Sequence, residues 1–194
     1  MQKMHSPSSL ATTGFEHGFT LIEMMVTIAI AVILLTLGVP SMKSMIERNA
    51  IANQVNAFVG SVVVARAEAI KRNAPVVVCR SDNAETSSSP SCATSGTDWK
   101  GGWIVFLDRD DDEKFDASKG DVLLRVQGNF SNSGGIEQKT SLKKLKFRNT
   151  GLLKSGASQF AFSTVALTAS QQRIVCVSFT GRTRLIDNST DICD

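Results

Sequence analysis

The chain has 194 residues, of which 42% are hydrophobic and 20% charged, and its formal net charge is +3. Its two histidines are His5 and His17, so the rest of the chain has no histidine base for a serine or cysteine nucleophile. It also has no P-loop and no G-x-G-x-x-G. These observations exclude the common enzyme sites and predict a binding or assembly protein. About 150 residues beyond the apolar N-terminal stretch suffice for one globular domain.

The first long feature is an apolar run at residues 18–40, broken near its start by one acid, Glu23. As a helix it is about 30 Å long, the thickness of a hydrocarbon core, so we predict that it spans a membrane. A secretory signal is the alternative, but its apolar region is shorter, and no A-x-A-like cleavage site follows Pro40. Cleavage between Gly18 and Phe19 would create an amino group near Glu23. In lipid that acid needs a partner, either its own terminus or that of a neighbouring subunit.

The letters GFTLIE resemble the class III signal of type IV pilins. The resemblance implies that a prepilin peptidase cleaves after Gly18 and methylates Phe19. It also implies that Glu23 pairs with the N-terminal amine of an adjacent subunit and sets the register of assembly. An ordinary single-pass anchor that tolerates Glu23 is the alternative. The implied parts are a cleaved leader at residues 1–18, a transmembrane and assembly helix at 19–45, and a head at 46–194.

The helix is expected to continue beyond Pro40, which predicts a kink or local melting at that position. Pro75 ends it after Arg72, because a residue before proline is pushed out of the helical region. Between Pro40 and Arg72, apolar residues repeat at spacings of three and four. One face of this half of the helix is therefore predicted to pack on its own domain, and an isolated coiled coil is the alternative. This stripe is Ile51, Val55, Phe58, Val62, Ala65 and Ala69.

After Pro75 the pattern changes to short β-branched and aromatic runs separated by turn residues. They predict strands at residues 76–80, 102–107, 122–127, 144–148, 159–163, 173–179 and 183–186. The predicted fold class is α+β of the type IV pilin kind, a long N-terminal helix packed on an antiparallel, β-rich C-terminal head.

Four cysteines lie in the part of the chain predicted to be outside the membrane: Cys79, Cys92, Cys176 and Cys193. An even number in an exported domain favours disulfides. The simplest of the three connectivities joins the first two and the last two, although spacing does not fix the pairing. Zinc is disfavoured, because the chain has no C-x-x-C and no histidine beyond residue 17.

Charge is distributed unevenly, with ten acids and four bases at residues 82–121 but ten bases and one acid at 125–186. Within the acidic part, DRDDDEKFD at 108–116 has the alternate aspartates of an EF-hand loop. However, Glu113 stands where glycine is required and Lys119 where the bidentate glutamate belongs. We therefore predict a solvated hairpin turn, with no metal and no other cofactor, and a calcium-binding loop is the alternative.

The sequence SFTGRTRLI at residues 178–186 turns between two apolar strands. Arg182 and Arg184 are two positions apart, so on an extended chain they share one side at a spacing of about 6.6 Å. This nearly matches two nucleotide steps of about 3.4 Å, so each guanidinium can fork onto a phosphate. Gly181 is expected to let the backbone approach the phosphates closely. The alternative is a turn with two exposed arginines.

The chain resembles the FimT and GspH group of minor pilins and pseudopilins over essentially its whole length. The resemblance is carried by the N-terminal stretch, the segment GGWIVFLDRDDDEKFD and the GRTR that precedes the last cysteine. FimT-type pilins are similar in having a C-terminal G-R-x-R motif that binds DNA during uptake. The resemblance therefore implies a DNA site at Gly181, Arg182 and Arg184. Lys144, Lys146 and Arg148 would share one face of a strand, as on any amphipathic surface strand. The supporting bases would be Lys143, Lys144, Lys146, Arg148 and Arg173.

The resulting hypothesis is a minor type IV pilin that binds DNA phosphates without sequence preference and supports DNA uptake in natural transformation. Its implied partners are DNA, other pilin subunits, the prepilin peptidase and the inner membrane. The head would lie in the periplasm before assembly and in a pilus fibre at the cell surface afterwards. The alternatives are a structural minor pilin that primes or caps the fibre for motility or adhesion, and a pseudopilin of a type II secretion machine.

Overall fold

A computed structural model describes residues 18–140, 143–165, 172–186 and 193. The predicted leader, apart from Gly18, lies outside these residues. The chain divides into two compact units, Met1–Met42 and Lys43–Asp194. One helix, α1 (Leu21–Arg72), begins in the first unit and ends in the second. It is assigned through Pro40 without interruption, so the local melting predicted there is not observed.

The described part of the N-terminal unit is residues 18–20 and the first part of α1. Thr20 caps the helix, since its hydroxyl accepts a hydrogen bond from the backbone N–H of Glu23 at 3.3 Å. Glu23 thus stands at the third helical position, where the helix dipole favours a carboxylate. An 18-residue window of the helix has a mean hydropathy of 2.5 and no buried residue. The helix is therefore long and apolar enough to cross a membrane.

In the second unit α1 buries the predicted stripe, because Ile51, Val55, Phe58, Val62, Ala65 and Ala69 are all 7% exposed or less. Phe58 is at the centre of an aromatic cluster. Its ring lies 4.3 Å from that of Phe160 and 5.6 Å from that of Trp103, measured between centroids. The indole N–H of Trp103 donates to the hydroxyl of Ser61 at 2.9 Å, so the ring is fixed against the helix.

Two four-stranded sheets, both antiparallel, provide the rest of the core. Sheet A has the order β3-β2-β1-β5 and sheet B the order β4-β6-β7-β8. The strands are β1 (Val76–Arg80), β2 (Trp103–Leu107), β3 (Val122–Gln127), β4 (Ser133–Gln138), β5 (Lys144–Phe147), β6 (Ser158–Thr164), β7 (Arg173–Val177) and β8 (Thr183–Ile186). All seven predicted strands are confirmed, and β4 was not predicted.

Each sheet has a second buried cluster on the face away from the main core. On sheet A it consists of Val77, Cys79, Ala84, Ile104 and Phe106. On sheet B it consists of Ala161, Ile174, Cys176 and Ile186. A disulfide reaches each cluster, Cys79–Cys92 on sheet A and Cys176–Cys193 on sheet B. The simplest predicted connectivity is therefore confirmed, and each bond joins a strand cysteine to a cysteine outside the strands.

Candidate nucleic-acid interface

The GRTR motif lies in the hairpin that joins β7 to β8. The backbone N–H of Gly181 donates to the carbonyl of Ser178 at 2.8 Å, and that of Ser178 donates to the carbonyl of Arg182 at 2.9 Å. Gly181 has a φ of +73°. This is the common three-residue hairpin loop that ends with a residue in the left-handed region, which explains the glycine.

Gly181 is buried rather than open to a ligand. A Cβ at this position would lie 2.8 Å from the carbonyl oxygen of Gly151 and 2.9 Å from Cε1 of Phe147. It would also lie 3.1 Å from Cδ of Arg66 on α1. The prediction that Gly181 lets the backbone approach a phosphate is therefore wrong. The glycine instead lets the hairpin pack closely on the head and so positions the arginines beside it.

Arg182 and Arg184 are both exposed. β8 is the last strand of sheet B, and Arg184 pairs in register with Cys176 of β7. The disulfide from Cys176 to Cys193 fixes this neighbouring strand. Arg182 forms no ion pair with another described residue. The two guanidinium groups of the motif are thus carried by a covalently tethered edge hairpin.

A groove with a volume of about 490 Å³ separates this hairpin from α1. Its apolar side consists of Val63, Ala67 and Ile70, all of which are exposed on the helix. Two cationic side chains, Arg66 and Arg182, also line it, and the full lining is Val63, Arg66, Ala67, Ile70, Gly181, Arg182 and Thr183. Sequence reasoning missed Arg66. No local pattern would have found it, because it belongs to a different element far from the motif.

Two of the predicted supporting lysines belong to a different site. Lys146 is 3% exposed, and its ammonium group lies 2.7 Å from Asp108 Oδ2 and 2.6 Å from Asp111 Oδ1. Lys144 contacts Glu113 Oε2 at 3.4 Å. The prediction that Lys144, Lys146 and Arg148 share an open basic face is therefore wrong for Lys146. These lysines neutralise the acidic segment at residues 108–116.

The pKa values of this segment follow from the same contacts. Burial raises the pKa of Asp108 above its ordinary value, against the opposing effect of Lys146. Burial also favours the neutral amine of Lys146, but its hydrogen bonds to Asp108 and Asp111 outweigh that effect and raise its pKa. The hydrogen bond from Lys146 lowers the pKa of Asp111. Asp108 was expected in a solvated turn, and this expectation is wrong, since the residue is fully buried.

Carboxylate oxygens of Asp108, Asp110 and Asp121 lie within 4.8 Å of one another, a spacing that suits a cation. Lysine ammonium groups already contact two of these residues. Lys146 lies 2.7 Å from Asp108, and Lys119 lies 2.8 Å from Asp110. The absence of a metal here stays a prediction.

The remaining predicted bases are exposed but are not all on one surface. Lys143 donates to the backbone carbonyl of Thr94 at 2.7 Å. Arg148 and Arg173 form no ion pair with another described residue. Arg173 is three positions from Cys176, which pairs with Arg184, so Arg173 and Arg184 point to opposite faces of sheet B. The structure brings Arg182 and Arg184 together on one hairpin and adds Arg66.

Comparison with known proteins gives two family matches. The model described as Type II transport protein GspH matches residues 54–181. The model described as the prokaryotic N-terminal methylation motif matches residues 15–39. None of the curated proteins compared by sequence matches significantly.

Two crystal forms of the type IV minor pilin FimU of Pseudomonas aeruginosa are similar in structure. One has a TM-score of 0.53 at 18% identity, covering 76% of this chain and 92% of that one. The other has a TM-score of 0.49 at 19% identity, covering 71% of this chain and 91% of that one. At this identity the likeness shows the fold alone, a long N-terminal helix packed on antiparallel sheets.

Proposed function

The chain belongs to the GspH family as a minor pilin of the type IV kind, and on this basis we propose that it binds DNA through Arg182 and Arg184 and supports DNA uptake in natural transformation. The observation that carries the proposal is the pair of exposed arginines on one tethered edge hairpin. From residue 125 to residue 186 the chain has ten bases and one acid, so little negative charge lies nearby in sequence to repel a polyanion.

The proposal includes the route by which the head reaches the cell surface. The prepilin peptidase cleaves after Gly18 and methylates Phe19, and the apolar helix then anchors the chain in the inner membrane with its head in the periplasm. Assembly with other pilins follows, with Glu23 setting the register. The N-methylation match at residues 15–39 and the hydropathy of the helix support this route.

Arginine suits phosphate binding because its planar guanidinium donates two parallel hydrogen bonds to one phosphate group. Contacts of this kind read charge and position rather than bases, so little sequence preference is expected. Arg148, Arg173 and Lys143 add positive charge to the head without forming ion pairs with described residues. Lys144 and Lys146 are not part of the proposed DNA site, since acidic side chains neutralise them.

A gel-shift experiment with residues 46–194 tests the proposal. This fragment contains every residue of the three buried clusters and therefore keeps the core of the head. Arg182→Ala with Arg184→Ala should weaken duplex binding about tenfold or more, because two phosphate contacts are lost. The same pair in the full-length protein should lower transformation while pili still assemble.

The matched control is Arg109→Ala with Arg125→Ala, which removes the same charge from the region of sheet A. It should bind DNA more tightly than the Arg182 and Arg184 double variant. Equal affinity of the wild type and that double variant would contradict the proposal.

A second candidate function is a pseudopilin of type II secretion. The observation that favours it is the printed description of the matching family, Type II transport protein GspH. Deletion of the gene distinguishes the two functions, because a secretion pseudopilin is needed for protein export and a DNA-uptake pilin for transformation.

A further inference from the structure

The groove between α1 and the hairpin has both cationic and apolar side chains in its lining. The phosphates of a DNA duplex would contact only the cationic ones. Arg66 and Arg182 are two like charges that line it together, and neither forms an ion pair with another described residue. Both side chains therefore add positive potential to the groove, which favours an anionic ligand there.

Arg66 is held in place by packing. Its Cδ would lie 3.1 Å from a Cβ at Gly181, and its Nε 3.3 Å from a Cβ at Gly151. The side chain therefore runs across two glycines that leave room for it. The Nε is buried and donates to no acceptor among the described residues, so the terminal nitrogens of the guanidinium are the atoms left to contact a ligand in the groove. A guanidinium that is oriented without a counter-ion is prepared for an anionic ligand, because less side-chain freedom is lost on binding.

The apolar side of the groove would contact a part of the ligand other than its phosphates. Val63 and Ile70 are 55% and 51% exposed, and with Ala67 they form an apolar stripe on one face of the helix. In a duplex the apolar faces of the bases are stacked inside and cannot reach this surface. In a single strand the bases are free to leave the stack and contact it.

We propose that this groove binds one nucleotide of single-stranded DNA, with its base against Val63, Ala67 and Ile70 and its flanking phosphates on Arg66 and Arg182. The inference rests on the proposed function, since Arg182 belongs to both sites. Compared with the duplex site, the groove contains an additional cation, Arg66 of α1, and would prefer unpaired bases.

Fluorescence anisotropy with residues 46–194 tests this with two probes of equal length and charge. One is a labelled strand of twelve thymidines, and the other is a labelled abasic strand of twelve deoxyribose phosphates. The wild type should bind the thymidine strand about fivefold more tightly, because a base in the groove removes apolar surface of the aliphatic side chains from water.

Two variants separate the parts of the site. Arg66→Gln should weaken binding of both probes by about threefold or more, because a phosphate contact is lost. Val63→Ser should lower the preference for thymidine and leave abasic binding unchanged. Arg125→Gln is the matched control, since Arg125 packs beside Gly60 of the same helix and does not line the groove. Circular dichroism melts verify that each variant is folded.

Equal affinity of the wild type for the two probes would overturn the inference, and so would identical binding by the Arg66→Gln and Arg125→Gln variants. In either case a neighbouring pilin becomes the better candidate for the groove. If Arg182→Ala with Arg184→Ala still weakens duplex binding, only this inference has failed. If that double variant binds duplex DNA like the wild type, the proposed function has failed as well.

Discussion

The ammonium group of Lys146 lies 2.7 Å from Oδ2 of Asp108, and the two side chains are 4% and 0% exposed. This pair joins β5 to the acidic segment that follows β2. Asp111 and Glu113 also contact Lys146, at 2.6 Å and 3.6 Å. The most basic strand of the head therefore holds the most acidic segment against sheet A. Part of the charge separation seen in the sequence is neutralised here, by Lys144, Lys146 and Lys154, whereas Arg182 and Arg184 are exposed on the hairpin.

The buried pair leads to a prediction for stability. Lys146→Met should destabilise the head by about 3–5 kcal/mol, because Asp108 is left buried without its counter-ion. Urea unfolding of residues 46–194 measures the change. Lys146→Met with Asp108→Asn should recover part of the loss, since the second substitution removes the unpaired charge.

The control for this experiment is Lys139→Met. Lys139 is exposed and pairs with Glu137, and exposed ion pairs contribute about 0–1 kcal/mol. If Lys146→Met cost no more than Lys139→Met, the buried pair would not have the role assigned to it.

The acidic segment also predicts how stability changes at low pH. Hydrogen bonds from Lys146, Lys119 and Ser118 lower the pKa values of Asp111, Asp112 and Asp116 respectively below the ordinary 3.8. A carboxylate whose pKa is lowered by folding stabilises the fold above its unfolded pKa, and this contribution is lost as the pH falls through the folded value. Asp108 has the opposite sign, because its pKa is raised.

In this segment three pKa values are lowered and one is raised, and a hydrogen bond from Arg72 also lowers the pKa of Glu68 on α1. The melting temperature of residues 46–194 should therefore fall as the pH decreases below 3.8. Asp112→Asn should make this fall smaller, since one of the three contributions is removed. The effect should weaken with added salt, because these groups are exposed or half-buried at the surface. An identical acid profile for the wild type and Asp112→Asn would contradict the assignment.

Gly181 leads to a prediction that separates backbone strain from packing. Gly181→Ala should destabilise the head by about 2 kcal/mol or more, because it adds left-handed strain to a clash with Gly151. Gly156 is a close control, since its φ is +88° and nothing lies within 4 Å of its Cβ position. Gly156→Ala should therefore cost only about 1–2 kcal/mol. Thermal melts compare them, and a smaller cost at position 181 would show that the hairpin does not need this close approach.

Strong local patterns allowed much of the fold to be predicted. The spacing of Ile51, Val55 and Phe58 indicated the buried helix face, and β-branched runs indicated seven of the eight strands. β4 was not predicted because its sequence SGGIEQ has low strand propensity and follows turn-like residues. Its pairing with β6 supplies the stability that its own residues lack.

Only those residues of the site that are close together in the sequence could be predicted. The two hairpin arginines are two positions apart, so their motif is visible in the sequence. Lys146 looked like a surface base because its neutralising partner Asp108 is 38 positions away. Arg66 could not be assigned to the site from the sequence, because only the folded chain brings it close to Gly181 of the hairpin. Long-range pairing decided which cations remain exposed.

The central claim is that Arg182 and Arg184 hold DNA by its phosphates. The most direct test is the salt dependence of duplex binding by residues 46–194, with and without Arg182→Ala and Arg184→Ala. Each phosphate contact contributes about 0.9 to the slope of log K against log salt, so the double variant should bind more weakly with a slope smaller by about 1.8. The same affinity and slope in both proteins would contradict the claim.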